Sequence, residues 1–190
     1  MKASRYVASA VVVLISSFAT YFYTTNLDTS EWEVVTIADG DSFTLSKNNR
    51  KETFRLYGID CPEKTQPFAG KARTFTTTML NEGAIRVKAV EKDTYGRTIA
   101  WVYSDTLCLN EALLENGLAW HYTYFSSDAE LAALEKQARD HKSGLWSEPD
   151  PVPPWEFRHR KKQRNSDSRS SAKKPDLSGA DGQLKKKIVL

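Results

Sequence analysis

The chain has few of the residues that build metal–thiolate sites or nucleophilic triads. It contains two cysteines, Cys61 and Cys108, and three histidines in 190 residues. No Cys/His cluster has the spacing of a zinc site, and no Ser/His/Asp or Cys/His arrangement suggests a covalent nucleophile. Two cysteines do not make a disulfide scaffold. In an exported domain they could form one bridge, but we favour two small, partly buried thiols.

The chain also has little net charge. Its formal value of +3 is the sum of an acidic region and a basic region. Residues 27–157 contain 14 Lys and Arg against 21 Asp and Glu, a net charge of −7. Residues 158–190 contain 11 basic and three acidic residues, a net charge of +8. The predicted folded part is therefore acidic, and attraction to a polyanion has to come from the tail or from local clusters of basic residues.

The first 27 residues have the features of a targeting segment. Lys2 and Arg5 precede a stretch without charge that continues to residue 27, and residues 17–19 (SFA) form a small-x-small cleavage signal. The stretch is also nearly as long as the roughly 20 residues needed to span a bilayer. Two interpretations remain, a cleaved secretory signal and an uncleaved membrane anchor. Either one places the domain outside the cytoplasm.

Residues 28–148 have the alternating and amphipathic patterns of one α+β domain. Strands are predicted at 32–37, 42–45, 51–59, 85–90 and 98–103, and helices at 67–80, 109–116 and 128–141. Asp128 is predicted to be the N-cap of the last helix. An Asp-Gly turn between the first two strands favours a hairpin. Five short strands with a helix between the third and fourth predict a five-stranded Greek-key barrel of the OB type with about three helices.

The composition changes after Pro149. Residues 149–158 are proline-rich and predict an extended segment, which could pack back through Trp155 and Phe157. Residues 159–190 are rich in Lys, Arg and Ser and contain few apolar residues before the end of the chain. This composition is typical of a disordered basic tail.

Five polar residues carry the chemistry of the predicted domain: Asp41, Arg55, Asp60, Glu63 and Arg97. Carboxylates supply hard oxygen ligands for a divalent cation, a glutamate can act as the base for a water molecule, and guanidinium groups bind phosphate. Such a set is unusual in strand-like sequence. It matches the needs of phosphodiester hydrolysis.

The motifs that carry these residues are DGDS, FRLYGIDCPE and DTYGR, in this order. Together with LNEALLENGLAW and SGLWS, they resemble the staphylococcal nuclease (thermonuclease) family over residues 31–147. Each motif alone is common, whereas the ordered set is specific. The resemblance implies an OB-type nuclease that cleaves DNA and RNA at the bond to the 5′-oxygen and leaves 3′-phosphate ends.

The resemblance also implies a calcium site and a general base. Asp41 and Asp60 would supply carboxylate ligands to Ca²⁺, and the backbone carbonyl of Cys61 would supply another oxygen. Glu63 would act as the general base on the attacking water. Only two ligating carboxylates leave several metal positions open for water and a substrate phosphate.

The remaining predicted residues contact the substrate. By resemblance, Arg55 and Arg97 bind the phosphate and stabilise charge in the transition state. Tyr95 is predicted to stack on a base or bind phosphate, and Tyr122 and Tyr124 lie in the segment where the family has nucleotide-contacting tyrosines. We expect a monomer that acts on single-stranded or locally open nucleic acid.

Less specific interpretations exist for the same residues. Asp41 could be only a turn residue, and Arg55 and Glu63 could form a structural ion pair. The domain could be a non-catalytic OB-fold module that binds nucleic acid, although such a module would be expected to lack several of the five residues. A scaffold protein that uses its basic tail on anionic lipid or nucleic acid would explain the tail but none of the five.

Overall fold

The structure is a computed structural model that describes residues 31–172, with side chains to residue 167. The predicted targeting segment, residues 1–27, lies outside the described residues. The strands are β1 (Glu33–Ile37), β2 (Ser42–Lys47), β3 (Arg50–Leu56), β4 (Ile59–Asp60), β5 (Ile85–Lys92), β6 (Thr98–Ser104), β7 (Leu107–Cys108) and β8 (Trp120–His121). The helices are α1 (Ala69–Glu82), α2 (Leu109–Glu115), α3 (Ala129–Asp140) and α4 (Pro154–Ala172), with a 3₁₀ turn at Gly144–Ser147.

One mixed sheet forms the centre of the domain. Its order is β1-β2-β3-β6-β5, with β7 on β6, and β3 and β6 are the parallel pair. The predicted α+β OB-type fold is confirmed, although the sheet is not closed. The predicted third strand is divided because the chain turns at Gly58, whose φ of 72° suits glycine. The part after this turn, β4, pairs instead with β8 in a separate two-stranded sheet.

The core lies between the sheet and helices α1, α2 and α3. Alternate residues of β6 are buried, as expected for a strand covered on one face. Asn110, at the start of α2, is fully buried and ties the layers together: it accepts a hydrogen bond from the Val102 amide and donates to the carbonyls of Tyr57 and Ala100. The predicted N-cap of α3 is present, because the Asp128 carboxylate accepts hydrogen bonds from the amides of Glu130 and Leu131.

The segment after residue 153 differs from the sequence prediction. Residues 154–158 were expected to be extended and the residues from 159 onward disordered, but α4 runs from Pro154 to Ala172. Proline is favoured at the first position of a helix, and a Glu156–Arg160 ion pair follows in the first turns. The start of the helix is fixed by packing, because Trp155 stacks on Tyr122 with ring centroids 5.2 Å apart.

The state of the two cysteines and the hydrophobicity of the helices also bear on the sequence predictions. Cys61 and Cys108 are both buried and free, in agreement with two thiols rather than a disulfide. Among residues 31–172, no helix is long and apolar enough to span a membrane.

Candidate active site

The turn between β1 and β2 places Asp41 inside the protein. Gly40 is required there because a Cβ atom would lie 2.8 Å from both the Ala72 Cβ atom and the Cys61 Sγ atom. The Gly40 carbonyl accepts a hydrogen bond from the Thr76 hydroxyl of α1 at 2.6 Å. Asp41, the next residue in this turn, is therefore buried, with only 2% of its surface exposed.

Arg55 connects the two buried aspartates. Its Nη1 atom donates to Asp41 Oδ1 and its Nη2 atom donates to Asp60 Oδ1, both at 2.6 Å. Strand pairing explains the first contact, since Ser42 lies opposite Arg55 in the β2–β3 ladder. The amide of Cys61 donates to Asp41 Oδ2 at 2.7 Å, which completes the link between the first turn and the β4 segment. The alternative interpretation of Arg55 and Glu63 as a structural ion pair is not the observed arrangement, because Arg55 pairs with the aspartates and Glu63 with Arg158.

Burial dominates the electrostatics of this cluster. Desolvation raises the pKa of Asp41 to about 6 and also raises the pKa of Asp60, so the charged forms are costly without nearby positive charge. Burial opposes the charge on Arg55 too, but Asp41 and Asp60 outweigh it and raise the pKa of the guanidinium. Burial raises the pKa of the Cys61 thiol well above its usual range, which makes this thiol a poor nucleophile.

Glu63 lies on the loop after β4, at the border between the protein and solvent. Two hydrogen bonds with Gln66 fix the Glu63 backbone. The Glu63 amide donates to the side-chain Oε1 atom of Gln66, and the backbone amide of Gln66 donates to the Glu63 carbonyl. The Glu63 side chain is 37% exposed, in contrast to the nearly inaccessible aspartates. It therefore stands at the mouth of the cluster, where a water molecule can reach it.

A third arginine, missed by the sequence analysis, lies in the same cluster. Arg158 of α4 donates through Nη2 to Asp60 Oδ2 at 2.8 Å, and through Nη1 to Asp60 Oδ1 at 3.2 Å and Glu63 Oε1 at 2.7 Å. Burial opposes its charge, but hydrogen bonds to Asp60 and Glu63 raise its pKa. Trp155 and Phe157 were the available signal, because aromatic residues at the start of a basic segment indicate that this part of the segment packs against the domain.

Arg97 approaches from a different element, the turn between β5 and β6. Its Nε atom donates to the Asp93 carboxylate at 2.7 Å, and the other oxygen of Asp93 accepts from the amides of Arg97 and Tyr95. These hydrogen bonds outweigh the effect of desolvation and lower the pKa of Asp93. Arg97 is thus fixed by its own turn, and the neighbouring Tyr95 ring is 86% exposed.

The other two predicted tyrosines are placed differently from each other. Tyr122 follows β8 and its ring stacks on Trp155 of α4, with an angle of 11° between the ring planes. Tyr124 is 86% exposed. Tyr122 and Phe125 line a cavity that is described in the next paragraph, whereas Tyr124 is not among the residues that line it.

A cavity of about 760 Å³ joins these parts of the molecule. Its lining includes Arg55, Glu63, Tyr95, Arg97, Tyr122 and Arg158. The structure therefore brings the predicted base and both predicted phosphate-binding arginines to one space. Asp41 and Asp60 lie directly behind Arg55, and Asp39, which also lines the cavity, accepts a hydrogen bond from the Asp41 amide.

Asp41 and Asp60 have the chemistry of ligands for a divalent cation. Both are nearly fully buried, both bind one guanidinium, and burial makes their negative charge costly unless a cation is near. Among the described side chains, no group of three or more His, Cys, Asp or Glu converges into a metal site. The aspartate pair and the adjacent Cys61 main chain fit a hard cation that keeps water and substrate among its ligands.

The open mixed sheet and the buried acid–arginine cluster define a nuclease of the OB-fold class. A family model described as staphylococcal nuclease homologue matches residues 53–148, and the chain belongs to this staphylococcal nuclease family. It is therefore a hydrolase that acts on nucleic acid. Nucleases of this family are in general metal-dependent.

Curated relatives have similar lengths or contain the domain as a part. A micrococcal nuclease of Shigella flexneri is 33% identical over 173 residues, which cover 85% of this chain and 95% of the relative. An uncharacterized endonuclease of Escherichia coli O157:H7 is 36% identical over 129 residues, 67% of this chain and 84% of the relative. A probable staphylococcal-like nuclease of Oryza sativa subsp. japonica is 37% identical over 113 residues, 60% of this chain but 34% of the relative.

Proposed function

We propose that this protein is a calcium-dependent endonuclease that hydrolyses DNA and RNA with low sequence specificity and leaves 3′-phosphate ends. The observation that carries the proposal is the cavity in which Glu63, Arg55 and Arg97 converge in front of two buried aspartates. An intact set of this kind argues against the non-catalytic binding module, for which nothing would maintain a buried and costly pair of carboxylates.

Each side chain has a distinct part in the proposed reaction. Glu63, half-exposed at the cavity, accepts the proton of the attacking water. Arg55 and Arg97 reach the phosphate from two elements, and their planar donor groups match its oxygens as they gain charge. The carboxylates of Asp41 and Asp60, with the carbonyl of Cys61, would hold the calcium ion. Positive charge close to the scissile phosphate is what this ion supplies when it is bound.

The cellular location is proposed from the sequence alone. Residues 1–27 combine a basic start with a long uncharged stretch, which supports export of the domain with either cleavage or retention of this segment. An extracytoplasmic setting also suits a calcium-dependent enzyme. The oligomeric state that we propose is a monomer.

The calcium and base assignments are tested together with the full chain. Cleavage of single-stranded DNA is measured with Ca²⁺, with Mg²⁺ and with excess EGTA, beside the variant Glu63→Gln. We expect activity with Ca²⁺, none with EGTA, and a rate about 10²–10⁴ times lower for the variant, because the amide cannot accept the proton.

A thermal unfolding curve is the control for this experiment. Because Glu63 is only half-buried and pairs with a half-exposed arginine, Glu63→Gln should unfold close to the wild-type temperature. Wild-type cleavage that persists in EGTA would refute the calcium assignment, and near-normal turnover by a folded Glu63→Gln would refute the base assignment.

A further inference from the structure

A second concave surface continues from the catalytic cavity along the β2–β3 hairpin. This basic trough has a volume of about 1090 Å³, and its lining includes Trp32, Lys47, Arg50, Lys51, Lys92 and Tyr95. Lys92, Tyr95 and Arg97 line both the trough and the catalytic cavity. The 93–97 turn therefore separates the cavity from the trough and lines both of them. A polymer that leaves the cavity past Tyr95 enters the trough directly.

The charge of the trough is opposite to that of the domain around it. Residues 27–157 have a net charge of −7, yet the trough is lined by five basic side chains and one carboxylate, Glu52. That carboxylate already binds Lys92 at 3.6 Å and accepts a hydrogen bond from the Thr98 hydroxyl. Local clustering of basic residues thus provides the attraction for a polyanion that the domain as a whole lacks.

The positive charge is concentrated on the β2–β3 hairpin. Lys47 and Arg50 lie directly opposite each other in the β2–β3 ladder, and like charges in this position destabilise a sheet. Arg50 and Lys51 are exposed, and no ion pair within residues 31–167 involves either of them. Anionic phosphates would supply a counter-charge to Arg50 and Lys51.

Aromatic rings at the two ends of the trough suit unpaired bases. Tyr95 presents an almost fully exposed ring at the cavity end. Trp32 lies at the hairpin end, held edge-on by Phe54 at 5.2 Å, with the ammonium of Lys47 5.8 Å from its ring. Basic side chains interleaved with aromatic rings bind single strands without sequence preference, because every base has a face that stacks.

We propose that the basic trough binds the single-stranded segment of nucleic acid that extends from the phosphate undergoing cleavage. It holds the backbone of several nucleotides beyond the scissile bond on Lys47, Arg50 and Lys51. The trough deepens the proposed nuclease function and rests on it. Affinity should therefore grow with the length of the strand, through contacts far from the reacting atoms.

The test measures binding without cleavage. Fluorescence anisotropy in EGTA gives the affinity of the full chain for labelled dT4 and dT16, for the wild type and for the double variant Arg50→Ala/Lys51→Ala. We expect wild type to bind dT16 at least about tenfold more tightly than dT4, and the double variant to lose most of this gain with little change for dT4. The salt dependence for dT16 should weaken by about 1.4 in log–log slope, as two phosphate contacts are lost.

Two matched variants make the result specific to the trough. Lys88→Ala/Lys136→Ala removes the same charge from exposed positions outside the trough and the cavity, and should behave as wild type. Arg50→Lys/Lys51→Arg keeps the charge and should keep the gain with length. An equal gain in Arg50→Ala/Lys51→Ala, or no gain in wild type, overturns the proposal. Neither outcome bears on cleavage, which the calcium and Glu63 assay tests separately.

Arg158 donates to the Asp60 carboxylate, one of the two that would hold a bound cation. Asp60 Oδ1 accepts from both Arg55 and Arg158, and Oδ2 accepts from Arg158. Each carboxylate oxygen has about two acceptor sites, so these arginines leave one of four on Asp60. A divalent cation at Asp60 would also be repelled by the guanidinium of Arg158.

The helix that carries Arg158 is anchored independently of this contact. Trp155 packs on Tyr122 and Trp120, and the Gln66 amide group donates to the Val152 carbonyl at 2.8 Å. Replacement of Arg158 should therefore leave α4 docked. The side chain itself is 40% exposed, so it has room to turn away from Asp60.

We propose that Arg158 and the divalent cation compete for Asp60, so that Arg158 neutralises the carboxylates in the metal-free protein and lowers the affinity for the metal. The competition rests on the proposed metal role of Asp60. It would make the apparent calcium requirement of this chain higher than that of the same site without α4.

Isothermal titration with Ca²⁺ tests the competition in the full chain. We expect Arg158→Gln, which removes the charge, to bind Ca²⁺ about tenfold more tightly than wild type, a typical coupling between two sites. Its metal-free unfolding temperature should fall, because Asp60 and Glu63 lose their partner. Arg160→Gln removes an arginine on the same helix that pairs with Glu156 rather than with Asp60 or Glu63, and it should match wild type in both measurements.

The possible outcomes are distinct. Equal or weaker calcium binding by Arg158→Gln overturns the competition while leaving the calcium assignment intact. If neither wild type nor variant binds Ca²⁺, the calcium assignment fails, and the competition fails with it.

Discussion

The two arginines assigned to the phosphate are held in opposite ways. Arg55 lies between two buried aspartates that are 14 and five residues away in sequence, and each of its contacts depends on strands that meet only in the folded domain. Arg97 binds Asp93, four residues before it, in a turn that also aligns the backbone. Arg55 therefore holds together the strands that form the site, whereas Arg97 is positioned by hydrogen bonds within its own turn.

Arg55→Ala should show the largest effect on stability. The substitution leaves Asp41 and Asp60 buried without this partner, and removal of one member of a buried ion pair costs about 3–5 kcal/mol. Urea unfolding of the metal-free protein measures this loss. If the variant does not fold, Arg55→Lys provides the same test, since one ammonium cannot satisfy both carboxylates as the guanidinium does.

Arg97→Ala is the matched substitution for the other arginine. It removes a partly exposed pair, so the free energy of unfolding should change by less than about 1 kcal/mol, while the cleavage rate falls by about 10²–10³ through loss of one phosphate donor. Similar stability losses for the two alanine variants would contradict the distinction between a buried and a local arginine.

The pH dependence of the turn should give the smallest effect. The pKa of Asp93 is lowered from 3.8 in the folded state, so its bonds stabilise the protein above about pH 4 and are lost as the pH falls through the lowered pKa. Asp93→Asn should therefore be slightly less stable than wild type at pH 7, by less than about 1 kcal/mol for a partly exposed pair. The difference should shrink as the pH falls below about 4 and through the lowered pKa of Asp93.

Urea unfolding midpoints of both proteins between pH 7 and pH 3 measure this dependence. A difference that grows as the pH falls would contradict the assigned sign. The Arg55 cluster provides an internal contrast, because burial raises rather than lowers the pKa values of its aspartates.

Local patterns explain which parts of the molecule could be predicted. The Asp-Gly turn, the Asp128 cap and strand β6 depend on neighbours in sequence, and each has its predicted structure. The five polar residues could be selected because their chemistry and order are specific. Their mutual contacts could not be predicted, because the contacts of Arg55 with Asp41 and Asp60 depend on strand register.

Arg158 was missed by the sequence prediction for another reason. Charge composition favours disorder after residue 158, and this average conceals the few residues at the boundary that pack. Trp155 and Phe157 already stand out in the proline-rich segment, and the ring stack with Tyr122 is the contact that outweighs composition. A boundary between a domain and its tail is therefore better placed after the last aromatic residues than at the first run of basic ones.

Asp60 and Arg158 are far apart in sequence, so the ribosome adds them to the growing chain at different times. The two residues are 98 positions apart, and at about 5–20 residues per second the ribosome adds Arg158 roughly 5–20 s after Asp60. During this interval the growing polypeptide has its carboxylates but no guanidinium from α4 to cover them. Asp60 is thus present in the growing chain well before the guanidinium that binds it in the folded protein.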